Sequence, residues 1–307
     1  MIAAVARVKV KTPRAESACR LRDARAMPMC MRLLAIADLH LAIPRNRHAL
    51  RALPAHPADW LIIAGDVCED AKLFGEALAW LASRFARVIW VPGNHELWLI
   101  DRDAVASSSV RKYAVLVDVA RRLGVVTPED AFPVWPPTGE VIVPLFTLYD
   151  YSFRPDEVAL SDVVRWAAEL SNVGADEDLI DPAPLGGIAE WCAMRCATTE
   201  ARLASELPDG ACTVLAGHYP LREDLVRIPR IPRFTPWCGT RRTAEWHIRY
   251  RAVAAVSGHL HVRATDWRDG TRFEEVSLGY SGQWDLMRGV DGYLRQILGT
   301  GPAAGHP

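Results

Sequence analysis

Short hydrophobic runs recur along most of the chain and are separated by stretches with helical spacing. None of the runs exceeds seven residues, a length that is typical of buried strands. They lie at 32–37, 59–64, 87–92, 140–146, 211–216, 253–257 and 273–278. Apolar residues at helical spacing predict helices over 71–86 and 110–124, and the second ends at Gly124, which suits a helix C-cap. This alternation predicts an α/β protein whose strands are buried.

The stretch from about 128 to 210 has a different pattern. It contains several prolines, an acidic patch at 174–181, and helical patterns at 156–170 and 187–206. We interpret it as one core strand followed by an insertion, at about 150–210, that packs beside the sheet. The insertion is either a cap over a functional site or structural filler, and the pattern favours neither.

The two ends of the chain do not share the α/β pattern. Residues 1–30 are rich in arginine and lysine and lack the sustained apolar stretch of a secretory signal. They are expected to be a disordered extension or to belong to a wrongly assigned start, because the methionines within 27–31 are all plausible first residues. Residues 299–307 are expected to be a disordered tail. The expected domain therefore spans 31–298.

Charge and cysteine content exclude several classes of protein. The 307 residues carry 36 Lys and Arg against 37 Asp and Glu, so the chain lacks the basic surplus of a protein that coats nucleic acid. No apolar run approaches the ~20 residues of a membrane span. The seven scattered cysteines do not form a disulfide framework, which favours the reducing cytoplasm. The pair Cys192 and Cys196 is expected to be buried rather than to bind zinc.

Five of the hydrophobic runs end in residue types that bind metal ions. Loops at the carboxyl ends of strands in an α/β sheet meet in one crevice, so we expect these blocks to converge. The mixture of carboxylate, amide and imidazole groups favours Mn, Fe or Zn over Ca. The pairs Asp38/His40 and His259/His261 point the same way if the backbone stays extended. The blocks are Asp38-Leu39-His40, Gly65-Asp66, Gly93-Asn94-His95-Glu96, Gly217-His218 and Gly258-His259-Leu260-His261.

In order and spacing, the five blocks resemble the signature of calcineurin-like metallophosphoesterases, and the resemblance covers residues 31 to about 280. It implies an α/β fold, a four-layered α/β/β/α sandwich with a centre of two divalent metal ions. It also implies the ligands, with Asp66 bridging the two ions. The first ion is expected to be bound by Asp38, His40, Asp66 and His261, and the second by Asp66, Asn94, His218 and His259.

The same resemblance implies a role for His95 that is not metal binding. In the family, the histidine of this block interacts with the substrate phosphate and the leaving group. Many members also place an aspartate three residues after the bridging aspartate, where it pairs with that histidine. This sequence has Glu69 there, followed by Asp70, and either residue is able to orient His95.

These residues predict hydrolysis of a phosphate ester by a water activated between two metal ions, with His95 and Asp66 in the catalytic set. The expected substrate is a small phosphorylated or nucleotide-like molecule, and no nucleic acid or membrane partner is expected. Two alternatives stay open: a non-catalytic metal-binding scaffold of the same fold, and a nuclease. The pattern does not distinguish a phosphomonoesterase from a phosphodiesterase, or a monomer from an oligomer.

An arginine-rich segment at 221–251 follows the fourth block and holds eight arginines against three acids. Arginine binds phosphate oxygens in a bidentate way, and tryptophan stacks on bases or sugars. The segment therefore predicts substrate contacts from Arg222, Arg241, Arg242 and Trp237. The alternative is a solvated loop whose charges pair with the acidic patch at 174–181.

Overall fold

The computed structural model describes residues 31–100 and 106–299, and these residues form two β-sheets flanked by helices. The first sheet has the strand order β3-β2-β1-β9. β1, β2 and β3 run parallel, whereas β9 pairs antiparallel with β1. These strands are β1 (Arg32–Ile36), β2 (His56–Ala64), β3 (Phe85–Val91) and β9 (Arg295–Gly299).

The second sheet has the strand order β4-β5-β6-β8-β7. Its first four strands in this order run parallel, and β7 pairs antiparallel with β8 as a hairpin at the edge. The parallel strands carry the later metal-ligand blocks at their carboxyl ends. The strands are β4 (Val141–Pro144), β5 (Thr213–Ala216), β6 (Ala252–Ser257), β7 (Thr265–Arg268) and β8 (Thr271–Glu275).

Helices cover the outer faces of both sheets. Two of the longer ones start at a side-chain cap: Asp70 accepts from the amide of Leu73, and Ser108 accepts from the amide of Arg111. Gly124 follows the third helix in the left-handed region at φ +72°, as a helix C-cap requires. The helices in the described ranges are α1 (Pro44–Arg51), α2 (Ala71–Ala82), α3 (Ser109–Arg122), α4 (Val163–Ala168), α5 (Asp176–Leu179), α6 (Ile188–Glu206) and α7 (Trp246–Arg249).

Two apolar clusters show that the fold has four layers. Because neighbouring residues of a strand point to opposite faces, each of the strands β1 to β6 contributes to both clusters. Leu33 of β1 and Val214 of β5 lie in the cluster between the two sheets. The next residues, Leu34 and Leu215, belong to the cluster that also contains buried side chains of α2 and α6. The predicted α/β/β/α sandwich is confirmed.

Differences from the predicted elements are confined to short or irregular segments. All seven predicted strands are present, although the last shifts to 271–275, and the helix predicted over 156–170 is formed only at 163–168. The pattern missed α1, α5, α7, β7 and β9. β7 alternates exposed and half-exposed positions, so it lacks the apolar run of a buried strand.

The predicted chain ends and the predicted cysteine burial can be compared with the structure in part. Residue 299, the first residue of the predicted tail, is the last residue of β9, while 1–30 and 300–307 lie outside the described residues. Cys192 and Cys196 on α6 are both buried, as predicted. In the ranges that the structure describes, no helix is both long and apolar enough to cross a bilayer.

Candidate metal centre and substrate cleft

The five predicted blocks meet at one edge of the two sheets. Asp38, His40, Asp66, His259 and His261 all lie in the left-handed region, with φ between +43° and +72°. For a residue other than glycine this conformation costs on the order of 1–3 kcal/mol and persists where the surroundings enforce it, commonly at functional sites. The backbone is not extended at either i,i+2 pair: Asp38 and His40 lie 3.8 Å apart, whereas His261 lies beside Asp38 and His259 beside His218.

Glycines let the loops approach closely. A Cβ placed on Gly93 would overlap the Asp66 carboxylate, and one on Gly258 would lie 2.5 Å from the Cβ of Ala37 and against the Asp38 carboxylate. Gly65, at φ +87°, needs the left-handed region as well as the space. Glycine before these candidate ligands is therefore a steric requirement of the site.

One group of ligand atoms surrounds Asp38. Its Oδ1 lies 3.1 Å from Nε2 of His261, and that nitrogen lies 3.1 Å from Nε2 of His40. His40 Nε2 is also 4.0 Å from Oδ2 of Asp66. Ser277 donates a hydrogen bond of 2.7 Å to the other oxygen of Asp38, which fixes the carboxylate in this position.

A second group surrounds His218. Its Nε2 lies 3.1 Å from Oδ1 of Asn94, 3.2 Å from Nδ1 of His259 and 3.5 Å from Oδ1 of Asp66. Asp66 therefore turns Oδ1 toward this group and Oδ2 toward His40 in the first group. The carboxylate predicted to bridge two ions lies between the two groups with one oxygen directed to each.

The donor set fits a pair of divalent cations. Metal–ligand bonds of about 2.0–2.2 Å place neighbouring ligands on one ion roughly 3.0–3.5 Å apart. The second group has this spacing throughout, and the first has it between His261 and both Asp38 and His40. His218 Nδ1 donates to the carbonyl of Ala64 at 2.9 Å, and burial lowers the pKa of this histidine to about 4. The neutral ring then points the lone pair of Nε2 at the Asn94 oxygen, which is also an acceptor. Two acceptors that face each other repel unless a cation lies between them.

The ionisation of Asp38 and of Asp66 depends on burial and on the charges that surround each carboxyl. Burial alone would raise the pKa of Asp38, but His261 lowers it well below the usual range. Burial, followed by the neighbouring charge of Asp38, raises the pKa of Asp66. Both buried acids lie within 4.0 Å of His40, and cations bound beside them would favour the ionised form of each carboxyl.

His95 lies beside the two groups and is held by Glu69. Nδ1 of His95 is 2.6 Å from Oε1 of Glu69, while Nε2 is 3.7 Å from Oδ2 of Asp66. Of the two acids predicted to orient His95, Asp70 instead caps α2. The ring of His95 stacks on Trp98 with 3.6 Å between ring centroids. His40, Asp66 and His95 are close enough to share an ion, so the exclusion of His95 as a ligand stays a prediction.

Three residues support the centre without having been given a role by the sequence pattern. Glu96 accepts hydrogen bonds from the backbone amides of Asp66, Val67 and Gly93, and so ties together the loops after β2 and β3. Its position inside the third block was the available signal. Asp176 accepts from Asn94, and Gln283 contacts His261 at 2.8 Å. Nothing in the sequence pattern singles out these last two.

A cleft of about 380 Å³ opens beside the candidate centre. Asp66, Asn94, His259 and His261 form its floor. None of its lining residues, all within the described ranges, is a lysine or an arginine. Its walls come from the insertion, from the arginine-rich segment and from the loops at 98, 260 and 280, and they are largely apolar. The apolar wall residues are Trp98, Val173, Ala175, Ile228, Ile231, Phe234, Leu260 and Tyr280.

The predicted substrate contacts in the arginine-rich segment lie away from the cleft lining. Arg222 pairs with Asp224, Arg241 with Glu223 and Asp156, and Arg242 with Asp150. Trp237 is fully buried and donates to Glu177 at 2.8 Å. The three arginines are thus engaged with acids, as the alternative interpretation requires, but these acids lie outside the patch at 174–181. The segment instead lines the cleft with apolar side chains.

Sequence comparison agrees with this geometry. The sequence model of the family described as calcineurin-like phosphoesterase matches residues 31–263, which contain all five blocks. The chain therefore belongs to the calcineurin-like phosphoesterase family, and it is a metal-dependent phosphoesterase by class.

A particular relative is similar over most of the chain. The [acyl-carrier-protein] phosphodiesterase PptH of Mycobacterium tuberculosis is 46% identical over 270 residues, which cover 87% of this chain and 83% of that protein. The crystal structure of the phosphopantetheinyl hydrolase PptH from the same organism has a TM-score of 0.81 and 44% identity. The match covers 87% of this chain and 96% of the crystallised one.

Proposed function

We propose that this chain is a phosphodiesterase that removes the phosphopantetheinyl arm from an acyl carrier protein. The observation that carries the proposal is the 46% identity to a relative named for that activity, over 87% of the chain. The bond concerned is the phosphodiester between the arm and a carrier serine. Hydrolysis adds water across the P–O bond to that serine and releases phosphopantetheine and the free hydroxyl.

The proposed metal ligands are those that meet at the strand ends. Asp38, His40 and His261 would hold one ion, Asn94, His218 and His259 the other, and Asp66 both; the donor set fits Mn, Fe or Zn. When bound, two such ions supply a hydroxide nucleophile at neutral pH and neutralise charge on the phosphate.

His95 is the proposed acid for the leaving serine. Glu69 accepts a hydrogen bond from Nδ1 of the ring, so it fixes the orientation of the ring. Nε2 then carries the proton that the serine oxygen takes up as the P–O bond breaks. Trp98 stacks on the same ring and restricts its rotation.

The cleft supports a substrate with one phosphate and an uncharged arm. A nucleotide with several phosphates needs cationic partners beyond the metal centre, and the described cleft lining contains neither lysine nor arginine. The phosphopantetheinyl arm has a single phosphodiester followed by neutral amide and methyl groups. Its apolar parts suit Ile228, Ile231 and Phe234, and its amides suit the side chains of Asn172 and Gln283. A nucleotide-like substrate is therefore the weaker proposal.

Incubation of the metal-loaded chain with a holo acyl carrier protein tests the proposal. Intact-mass spectrometry is expected to show loss of the phosphopantetheinyl group, and both EDTA and Asp66→Asn should abolish that loss. Hydrolysis of bis-p-nitrophenyl phosphate without action on the holo carrier would leave the class intact and refute the substrate. No metal-dependent hydrolysis of either compound would favour the scaffold alternative, and nicking of plasmid DNA would favour a nuclease.

A further inference from the structure

Asp176 is a buried acid that the insertion brings to the candidate metal centre. It is the first residue of α5, is 3% exposed, and lines the cleft. Its Oδ1 accepts two hydrogen bonds, one from Nδ2 of Asn94 at 2.9 Å and one from Nε1 of Trp98 at 2.6 Å. The other oxygen is buried and has no hydrogen-bond partner among the described residues.

These contacts decide which way the Asn94 amide faces. A side-chain amide has an oxygen that accepts and a nitrogen that donates, and only the oxygen binds a metal ion. The indole nitrogen of Trp98 only donates, so Oδ1 of Asp176 is an acceptor whatever the protonation of the carboxyl. The amide must therefore present its nitrogen to Asp176, which leaves its oxygen 3.1 Å from Nε2 of His218.

We propose that Asp176 is a positioning residue that orients the Asn94 amide, so that the amide oxygen completes the second metal site. The inference rests on the two-metal centre of the proposed function. Without Asp176, the amide is free to rotate about its last bond, and the rotated form would direct a donor at the cation.

The insertion holds Asp176 in place through its neighbours. Glu177 accepts hydrogen bonds from Tyr151 at 2.7 Å and from Trp237 at 2.8 Å, so α5 is fixed to the arginine-rich segment. The amide of Leu99 donates to the carbonyl of Leu179 at 2.8 Å, which ties the end of α5 to the chain just after Trp98. By this inference the insertion is part of the metal centre, and the filler interpretation fails.

Metal stoichiometry provides a readout that does not depend on activity. We compare the wild-type chain with Asp176→Leu, which removes the acceptor at similar volume, and with Asp176→Asn, which keeps an acceptor oxygen without the charge. Asp178→Leu is the matched control, because it changes an exposed acid of the same helix. Each protein is stripped, loaded with Mn²⁺ and dialysed, and bound metal is counted by mass spectrometry and titrated by calorimetry.

Wild type, Asp176→Asn and Asp178→Leu are expected to retain two ions. Asp176→Leu is expected to retain one, with the affinity for the second ion weakened roughly 10- to 100-fold. Two ions of unchanged affinity in Asp176→Leu would overturn the inference alone, and so would equal losses in the leucine and asparagine variants. Loss of both ions from Asp176→Leu would show a role in folding the whole centre and would also overturn it. Failure of the wild type to bind metal would overturn the proposed function as well.

Discussion

His95 and Glu69 are in contact beside the metal-ligand groups, and their roles are separable by the choice of substrate. A carrier serine is a poor leaving group that needs a proton, whereas nitrophenolate leaves without one. Loss of the contact between His95 Nδ1 and Glu69 is therefore expected to slow the reaction more when the leaving oxygen of the substrate is more basic.

We expect His95→Ala to reduce kcat on a holo carrier protein by about 10²- to 10⁴-fold. The loss on bis-p-nitrophenyl phosphate should be much smaller, and bound metal should be unchanged. Glu69→Gln should also lose more activity on the carrier than on bis-p-nitrophenyl phosphate. Its loss on the carrier should be smaller, about 10- to 100-fold. Parallel kinetics on the two substrates check this. Equal losses on both, or loss of metal from His95→Ala, would contradict the leaving-group role.

Gly93→Ala is expected to disrupt the centre while leaving the sheets folded. The added Cβ would overlap the Asp66 carboxylate, so the bridging ligand would have to move. We expect bound metal and activity to fall by at least about 10²-fold, as a shift of about 1 Å in a catalytic group produces. Gly282→Ala is the control, because no atom lies within 4 Å of its Cβ position. Metal counting measures disruption of the centre, and circular dichroism shows whether the sheets stay folded. Retention of both ions in Gly93→Ala would refute the steric account.

The convergence of the five blocks was predictable from residue type and strand-end position, and the structure brings their side chains together. Asp176 was not predictable, because the acidic patch at 174–181 holds several acids and the sequence pattern ranks none above the others. Only the packing of α5 against the loop after β3 distinguishes it. The same applies to Glu69 and Asp70, which are adjacent in sequence but differ in that Asp70 caps a helix.

At the scale of elements, a buried polar network joins α3, α6 and the chain between them. Glu129 accepts hydrogen bonds from Tyr113 of α3 at 2.7 Å and from Arg195 of α6 at 2.6 Å. Burial raises the pKa of Glu129, but the charge of Arg195 and the two hydrogen bonds outweigh it, so the pKa lies below its usual value.

The sign of the pH dependence follows from that lowered pKa. The contribution of Glu129 to stability is fully present above its unfolded pKa of about 4.3 and disappears as the pH falls through the folded value. We expect Glu129→Gln to lower the free energy of unfolding by about 2 kcal/mol at pH 7 and by less at about pH 3, below the unfolded pKa. Urea titrations at both pH values measure this, with Glu157→Gln at an exposed acid as control. A difference that does not depend on pH would contradict the ion pair.

The charge pattern of the arginine-rich segment did not reveal whether its arginines bind substrate or pair with nearby acids. Its arginines were candidates for phosphate binding, yet Arg222, Arg241 and Arg242 each lie beside an acid close in space. Exposed pairs of this kind contribute little to stability, but they satisfy the charges and leave the apolar side chains to line the cleft. Short edge strands such as β7 were missed for a related reason, since pairing with a neighbour compensates for the lack of an apolar run.

For the molecule as a whole, the proposed function assigns recognition of the arm to the cleft walls and the chemistry to the metal centre. Ile231 is 41% exposed and lines the wall of the cleft. We expect Ile231→Glu to raise KM for the holo carrier by about tenfold, the effect of losing roughly 1.4 kcal/mol of apolar contact. The kcat on bis-p-nitrophenyl phosphate should stay unchanged, and a fall in that kcat would place Ile231 in the reaction centre.

The ligands come from both sheets, so bound metal should join the two halves of the sandwich. A metal ion that binds the folded state and not the unfolded state stabilises the fold by about 2.7 kcal/mol when its free concentration is one hundred times Kd. For a chain of this size we expect Mn²⁺ to raise Tm by roughly 5 °C or more, and EDTA to reverse the shift. Calorimetry with Mg²⁺-free buffer checks this. A Tm that does not respond to chelation would argue against a centre shared by the sheets.

The antiparallel pairing of β1 with β9 has a consequence for biosynthesis. β1 is the earliest strand of the described fold to leave the ribosome, and β9 is the latest, so one edge of β1 stays unpaired until β9 has been synthesised. Unpaired strand edges are templates for association between nascent chains. A message truncated before codon 295 would leave that edge permanently open, and its product should accumulate in inclusion bodies even though it encodes every residue proposed to bind metal.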